Sequence, residues 1–225
     1  MCGRYSQTIM MQRLLQEFGI ELAEEVIVPR YNIAPGQDAP VVVIENGKLR
    51  LRLMRWGLIP FWAKDPAIGN KMINARAETL AEKPSFRKPF ASQRCLVLAD
   101  GFYEWRKIAG SKAKIPMRFV IKDRRPFAFA GLWDRWRNPS GGEIHSFTII
   151  TTAAGDFIRP IHDRMPIILQ QDVHNQWLDP KISDAVTLSG ILRSHAEGNI
   201  EAYDVGLTVN SPRNDVPECV VSVNR

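Results

Sequence analysis

The stretch Val41-Val42-Val43-Ile44-Glu45-Asn46-Gly47-Lys48-Leu49-Arg50-Leu51-Arg52-Leu53-Met54-Arg55-Trp56 carries the clearest structural signal in the chain. Asn46-Gly47 is the dipeptide that a two-residue hairpin turn prefers, because both turn positions need positive φ. Val41–Ile44 and Leu49–Trp56 on either side read as strands, so the pair is antiparallel. In the second strand Leu49, Leu51, Leu53 and Arg55 alternate with Arg50, Arg52, Met54 and Trp56. This gives one mostly apolar face and one partly basic face.

Outward from this hairpin, further strands are expected at Arg94–Leu98, Phe102–Trp105, Met117–Lys122, Phe127–Leu132, Ser146–Thr152, Gly206–Asn210 and Cys219–Val223. Asp100-Gly101, Asp123–Pro126 and Asn138–Gly142 supply turn chemistry between them. Met11, Leu14, Leu15 and Phe18 share one face of a helix expected over Gln7–Phe18, with Gly19 as its stop. A second helix is expected near Asp184–His195. Short strands that follow one another directly predict an α+β fold, with a mostly antiparallel β core, a few flanking helices and a single domain over 1–225.

Composition excludes several classes. Of 225 residues, 45% are hydrophobic, too many for a disordered chain. No run of roughly 20 apolar residues offers a membrane span, and no apolar segment near the start reads as a secretory signal. Cys2, Cys95 and Cys219 are too few and too scattered for a disulfide scaffold or a zinc site, so a reducing compartment is expected. Thirty basic against 24 acidic residues give 30 − 24 = +6, which permits a polyanionic partner. Phosphate loop, dinucleotide fingerprint and Gly-x-Ser-x-Gly elbow are all missing. His145, His162, His174 and His195 lack metal-ligand spacing. Neither metal nor organic cofactor is expected.

Five constellations remain. In Met1-Cys2-Gly3-Arg4, removal of Met1 leaves a free amine and a thiol on one residue. Such an aminothiol forms an imine with an aldehyde and then closes a thiazolidine ring. The amine, with a reference pKa of about 7.7–8.0, is partly unprotonated at neutral pH. The plainer reading makes Cys2 a small buried apolar residue. In Asn74-Ala75-Arg76-Ala77-Glu78-Thr79, the amide orients a reacting group and the guanidinium binds phosphate, or Arg76 merely pairs with Glu78. Glu104, between Tyr103 and Trp105, is either a carboxylate with raised pKa suited to acid–base work or an outward-facing strand residue. His162 and Arg164, in Ile161-His162-Asp163-Arg164-Met165-Pro166, offer a proton shuttle and a phosphate contact, or a satisfied turn histidine. Aromatics among basic residues, as in Arg55-Trp56-Gly57-Leu58-Ile59-Pro60-Phe61-Trp62, suit single-stranded nucleic acid. Most such rings belong to a core, and exposure is expected only for Trp62, in the Pro-bounded loop.

These pieces, with Tyr31-Asn32-Ile33-Ala34-Pro35 and Ala130-Gly131-Leu132-Trp133, occur in the order that resembles the SRAP family of abasic-site processing proteins. The resemblance covers nearly the whole chain. It implies single-stranded DNA containing abasic sites as partner, and a covalent thiazolidine link between Cys2 and the ring-opened sugar that shields the lesion. It also implies a peptidase activity that removes Met1, with the SOS response as the setting. By the same resemblance Asn74 positions Cys2, Glu104 serves as general acid and base, and His162 transfers protons. Arg4, Arg76 and Arg164 hold phosphates, and Trp62 stacks on a base. A monomer is expected, with replication-fork proteins as further partners, in the cytoplasm of a bacterium or the nucleus of a eukaryote. Two alternatives stay open: a non-covalent single-stranded nucleic-acid-binding module, and an N-terminal-nucleophile cysteine peptidase.

Overall fold

The computed structural model describes residues 2–138, 140–193 and 198–223. The chain opens with β1 (Tyr5–Gln7), α1 (Met11–Glu17), β2 (Leu22–Ala23), β3 (Arg30–Ile33), β4 (Asp38–Glu45), β5 (Lys48–Trp56) and β6 (Asn74–Arg76). Then α2 (Pro84–Ser92) precedes the long strands β7 (Arg94–Ala99), β8 (Gly101–Lys107), β9 (Lys114–Ile121), β10 (Phe127–Arg137) and β11 (Glu143–Ala153). Next come β12 (Arg164–Pro166), β13 (Ile168–Leu169), α3 (His174–Leu178), α4 (Ala185–Arg193) and β14 (Ile200–Asp204). One sheet has the order β14-β9-β8-β1-β3. The larger sheet runs β12-β11-β10-β7-β4-β5-β2, and an added pairing of β5 with β11 closes β4, β5, β11, β10 and β7 into a ring. Closure removes exposed strand edges. Most ladders are antiparallel, so the α+β expectation holds; β2–β5, β5–β11 and β6–β11 are parallel.

The β4–β5 hairpin turns on Asn46 (φ 52°) and Gly47 (φ 75°), the left-handed pair its sequence demands. Its strands bury both faces. Met54 and Trp56 join Val41, Val43 and Val97 in an apolar cluster shared with Tyr5, Ile33, Phe102 and Phe119 of the other sheet. Leu51 points the opposite way, with Val42, Leu96 and Leu98, into a second cluster with the helical residues Leu14, Phe90, Trp177 and Leu188. Leu53 is left 38% exposed. The partly basic face of β5 is thus buried at Met54 and Trp56 as well, and the larger sheet is a middle layer between a second sheet and the helices.

Arg94 ties the helices to that layer. Its buried guanidinium donates to the carbonyls of Phe90, Ala91, Trp177, Asp179 and Ile182. Truncation orphans all five acceptors. Arg94→Ala is expected to cost about 3–5 kcal/mol in urea melts, against about 0.5 kcal/mol for an ordinary surface substitution.

Several boundaries differ from expectation. Gln7 belongs to β1, and the first helix begins at Met11. The second helix is Ala185–Arg193, and His195 lies outside the described residues. The strands expected at Gly206–Asn210 and Cys219–Val223 are instead 3-10 turns at Leu207–Asn210 and Pro217–Val220, with only a Val205–Ser222 bridge beside them. Side chains take the backbone acceptors that a strand partner would have used. Arg4 and Asn32 both donate to the Val209 carbonyl, and Asn32 also reaches those of Ser211 and Asn214. No helix among the described residues is long and apolar enough to cross a membrane.

Candidate active site

The amino-terminal segment is threaded into the middle of the smaller sheet, between β3 and β8. Tyr5 pairs with Phe102 and Ser6 with Gly101, and the Tyr103 amide donates to the Arg4 carbonyl at 2.9 Å. A buried network fixes the pairing. Asp100 accepts from Ser6 (2.7 Å), Arg118 (2.8 Å) and the Thr8 amide (3.0 Å). Position 101 must be glycine here, because a Cβ would lie 2.6 Å from the Arg118 guanidinium.

Cys2 is wholly buried beside Tyr5, Ile33 and Phe102. Asn74 Nδ2 donates to its carbonyl at 2.8 Å, a bond across 72 positions of sequence. Asn74 is itself held on β6, opposite Ile149 of β11, and the Trp56 indole donates to the preceding Ile73 carbonyl at 2.8 Å. The other amide atom, Asn74 Oδ1, is buried and accepts no hydrogen bond among the described residues.

Glu104 is only 6% exposed on β8, so it faces inward. Burial pushes its carboxyl up to about 7, opposed by the amino-terminal charge and Lys114 and reinforced by Asp163. Burial also raises the Cys2 thiol, and the Glu104 charge adds to it, so the thiol is neutral at pH 7. His162 moves the other way. Burial holds it below its usual 6.5, with the amino-terminal charge acting in the same direction. Its Nδ1 accepts from the Arg164 amide at 3.0 Å. An amide can only donate, so the neutral ring carries its proton on Nε2. Asp163 Oδ1, 3.0 Å from the same Nδ1, favours a second proton there. The amino-terminal charge acts on Cys2, Glu104 and His162 alike. Three motifs far apart in sequence thus meet at the start of the chain.

The arginines divide. Arg4 donates to Asn32 (2.8 Å) and to the Val209 carbonyl (2.7 Å), and lies 5.7 Å from the Trp105 ring. Arg164 forms a two-pronged pair with Glu78 (2.7 and 2.9 Å) and donates to the Thr151 carbonyl. The pairing of Arg76 with Glu78, the plainer reading of that motif, is therefore not found. Arg76 is exposed, and its guanidinium has no hydrogen bond or ion pair among the described residues. Trp62 is 47% exposed, as the Pro-bounded loop suggested. Phe61 is 51% exposed with Lys88 4.1 Å from its ring centroid, and a cleft of about 490 Å³ runs from Trp62 to Lys64 and Lys71. Sequence reading missed these partners. Phe61 sat in a quoted motif, and its signal was the same Pro-bounded loop.

Comparison with known proteins gives this arrangement a context. A protein of Bacillus subtilis (strain 168), abasic site processing protein YoqW, is 46% identical over 224 residues, covering 99% of this chain and all of that relative. The Xenopus tropicalis abasic site processing protein HMCES is 34% identical over 224 residues, covering 87% of this chain and 66% of its own length. A crystal structure of a Bacteroides thetaiotaomicron protein superposes with a TM-score of 0.88 at 29% identity, over 99% of this chain and 100% of that one. The family model for SOS response associated peptidase (SRAP) matches residues 1–212, a span that holds Cys2, Asn74, Glu104 and His162. With that span and these relatives, the chain belongs to the SRAP family.

Proposed function

We propose that the protein captures the ring-opened aldehyde of an abasic site in single-stranded DNA as a thiazolidine on Cys2. The observation that carries this reading is the Asn74–Cys2 hydrogen bond beside an inward-facing carboxyl held near neutrality. The names of the relatives, abasic site processing proteins, point to the same substrate.

Hydrolysis of the Met1–Cys2 peptide bond consumes one water and frees the Cys2 amine, an activity the family's description as a peptidase supports. Amine nitrogen then attacks the aldehyde carbon. One amine proton passes to the oxygen, Glu104 in its protonated form gives the second as that oxygen leaves as water, and a protonated imine remains beside the Glu104 carboxylate. The neutral thiol adds to the imine carbon, forming the C–S bond. Its proton returns to the Glu104 carboxylate, which regenerates the acid, and the nitrogen is left as the neutral ring N–H. A carboxyl with a pKa near 7 suits both directions, since donor and acceptor forms are both populated at neutral pH. Asn74 keeps Cys2 at a fixed angle, and its Oδ1 is an acceptor for the freed amine. His162 Nε2–H donates to the sugar oxygen as the ring opens. Arg76 takes a phosphate outright, Arg4 and Arg164 add the donors their clamps leave over, and Trp62 stacks on a base.

Intact mass tests the whole reading. The purified protein should lack Met1. Incubation with an oligonucleotide carrying one abasic site should add the oligonucleotide mass less one water. A protein that keeps Met1, or gives no adduct with proven lesion-bearing DNA, rejects the proposal. Arg76 makes a separate prediction. Arg76→Ala should weaken binding to intact and abasic strands alike and flatten the log–log salt dependence by about 0.7, the share of one phosphate on single strands. Anisotropy titrations across a salt series read both. Lost reaction at unchanged affinity would make Arg76 part of the chemistry instead.

A further inference from the structure

Glu78 has no part in the chemistry above, yet it stands between two halves of the site. Thr151 of β11 pairs with Arg76 of β6 along one edge and with Pro166 of β12 along the other. Strand β6 begins with Asn74, which holds the Cys2 carbonyl. Strand β12 begins with Arg164, whose amide holds His162 Nδ1. Asn74 and His162 are therefore carried on opposite flanks of one strand. Glu78 lies on the 3-10 turn Ala77–Thr79 that continues β6. It accepts from both terminal nitrogens of Arg164, at 2.7 and 2.9 Å, and so joins flank to flank.

This pair is not an ordinary surface contact. The Arg164 side chain is only 13% exposed, and one terminal nitrogen also donates to the Thr151 carbonyl at 2.6 Å, on the strand it crosses. Its Nε is buried with no hydrogen bond among the described residues. Without Glu78 the guanidinium would keep only its Thr151 acceptors and would turn toward water, taking the start of β12 with it. His162 has most to lose from that movement. It belongs to the segment 154–163 between β11 and β12, not to a strand. The Arg164 amide needs a bare Nδ1 to donate to, so it keeps the neutral ring's proton on Nε2.

We propose that Glu78 is a positioning residue of the capture reaction: through Arg164 it sets His162, with its proton on Nε2, against the Asn74–Cys2 contact across β11. The proposal rests on the reading of the site as a trap for abasic DNA. Glu78 touches no reacting atom. Its effect is on rate, because a misplacement of about 1 Å at a reacting centre costs on the order of a hundredfold. Affinity for DNA runs the other way. Glu78 is two residues from the exposed Arg76, where a carboxylate lowers the attraction for phosphates.

The test uses the full chain with Glu78→Gln, which keeps the size of the side chain and removes its charge. Single-turnover capture at saturating abasic oligonucleotide should slow by about 10–100-fold, while affinity for an intact strand holds or rises. A carboxylate that acted on DNA as a charge alone would give a faster variant. Spectra of ¹⁵N-histidine protein at pH 8, without DNA, read the ring directly. Wild-type His162 should show the Nε2–H form, and Glu78→Gln a mixture of both neutral forms. A role confined to stability would lower the melting temperature and leave the ring form as it is. Arg164→Gln should slow capture at least as much, and adding Glu78→Gln to it should cost nothing further. An unchanged rate or an unchanged ring form in Glu78→Gln, with wild type still capturing the lesion, overturns the positioning role alone. A further loss in the double variant overturns the route through Arg164. Wild type that captures no lesion overturns the parent reading and this role with it.

Discussion

Cys2→Ala, incubated with an oligonucleotide carrying one abasic site, should give no adduct that survives denaturing electrophoresis, whereas wild type should convert fully. The expected loss is complete because no other group of the site can close the ring. Cys95 and Cys219 are buried, and neither carries an α-amine of its own to form the imine. The alanine variant keeps its amine, so reduction with borohydride should still trap a transient imine. That residual trapping separates loss of the thiol from loss of the fold. It also separates the covalent reading from a binding module, for which the two proteins would behave alike. A stable adduct in Cys2→Ala would move the nucleophile to another residue and end the proposal.

Glu104→Gln should slow cross-link formation by about 10²–10⁴-fold, the usual worth of a placed acid and base. The same substitution should make the protein more stable in alkaline buffer. Glu104 titrates at about 7 in the fold against an ordinary 4.5. The folded state therefore holds this proton more tightly than the unfolded chain. The stability it contributes is complete below about pH 4.5 and is lost as pH rises through 7. A difference of this size corresponds to about 3 kcal/mol, carried by a group that is almost fully buried. Glutamine cannot ionise and avoids that penalty. In urea melts the variant should match wild type near pH 5 and exceed it by up to about 3 kcal/mol at pH 8. A variant that is slower and no more stable at pH 8 would show Glu104 to be already solvated or paired in the ionised form.

How far the sequence could be read followed the range of the forces involved. The 41–56 hairpin was legible because its turn needs two left-handed residues and Asn46-Gly47 supplies them within the segment itself. β14 was missed because Ile200–Asp204, buried at Ile200 and half-buried beyond it, is defined by its pairing with β9 and not by a pattern of its own. α2 was missed because Pro84 and Pro89 argue against a helix. Pro84 is harmless in the first turn, and packing of Phe90 against Trp177 outweighs the cost of Pro89. At the candidate site the residue types were legible one motif at a time. Their convergence was not, because it depends on pairings such as Ser6 with Gly101 and Asn74 with Cys2. The choice between inward and outward Glu104 turned on that pairing. So did the partner of Glu78, which proved to be Arg164 from β12 and not its neighbour Arg76.

The position of β1 between β3 and β8 has one more consequence. A free aminothiol is present as soon as Met1 is gone, folded or not, and would meet any aldehyde in the cell. Yet Arg4 is locked by the Val209 carbonyl, 205 residues away, and Asn74 reaches Cys2 only when both sheets have closed. A chain still emerging from the ribosome has neither contact in place. On the proposed mechanism, a copy truncated before Val209 should therefore capture a lesion far more slowly than the full chain.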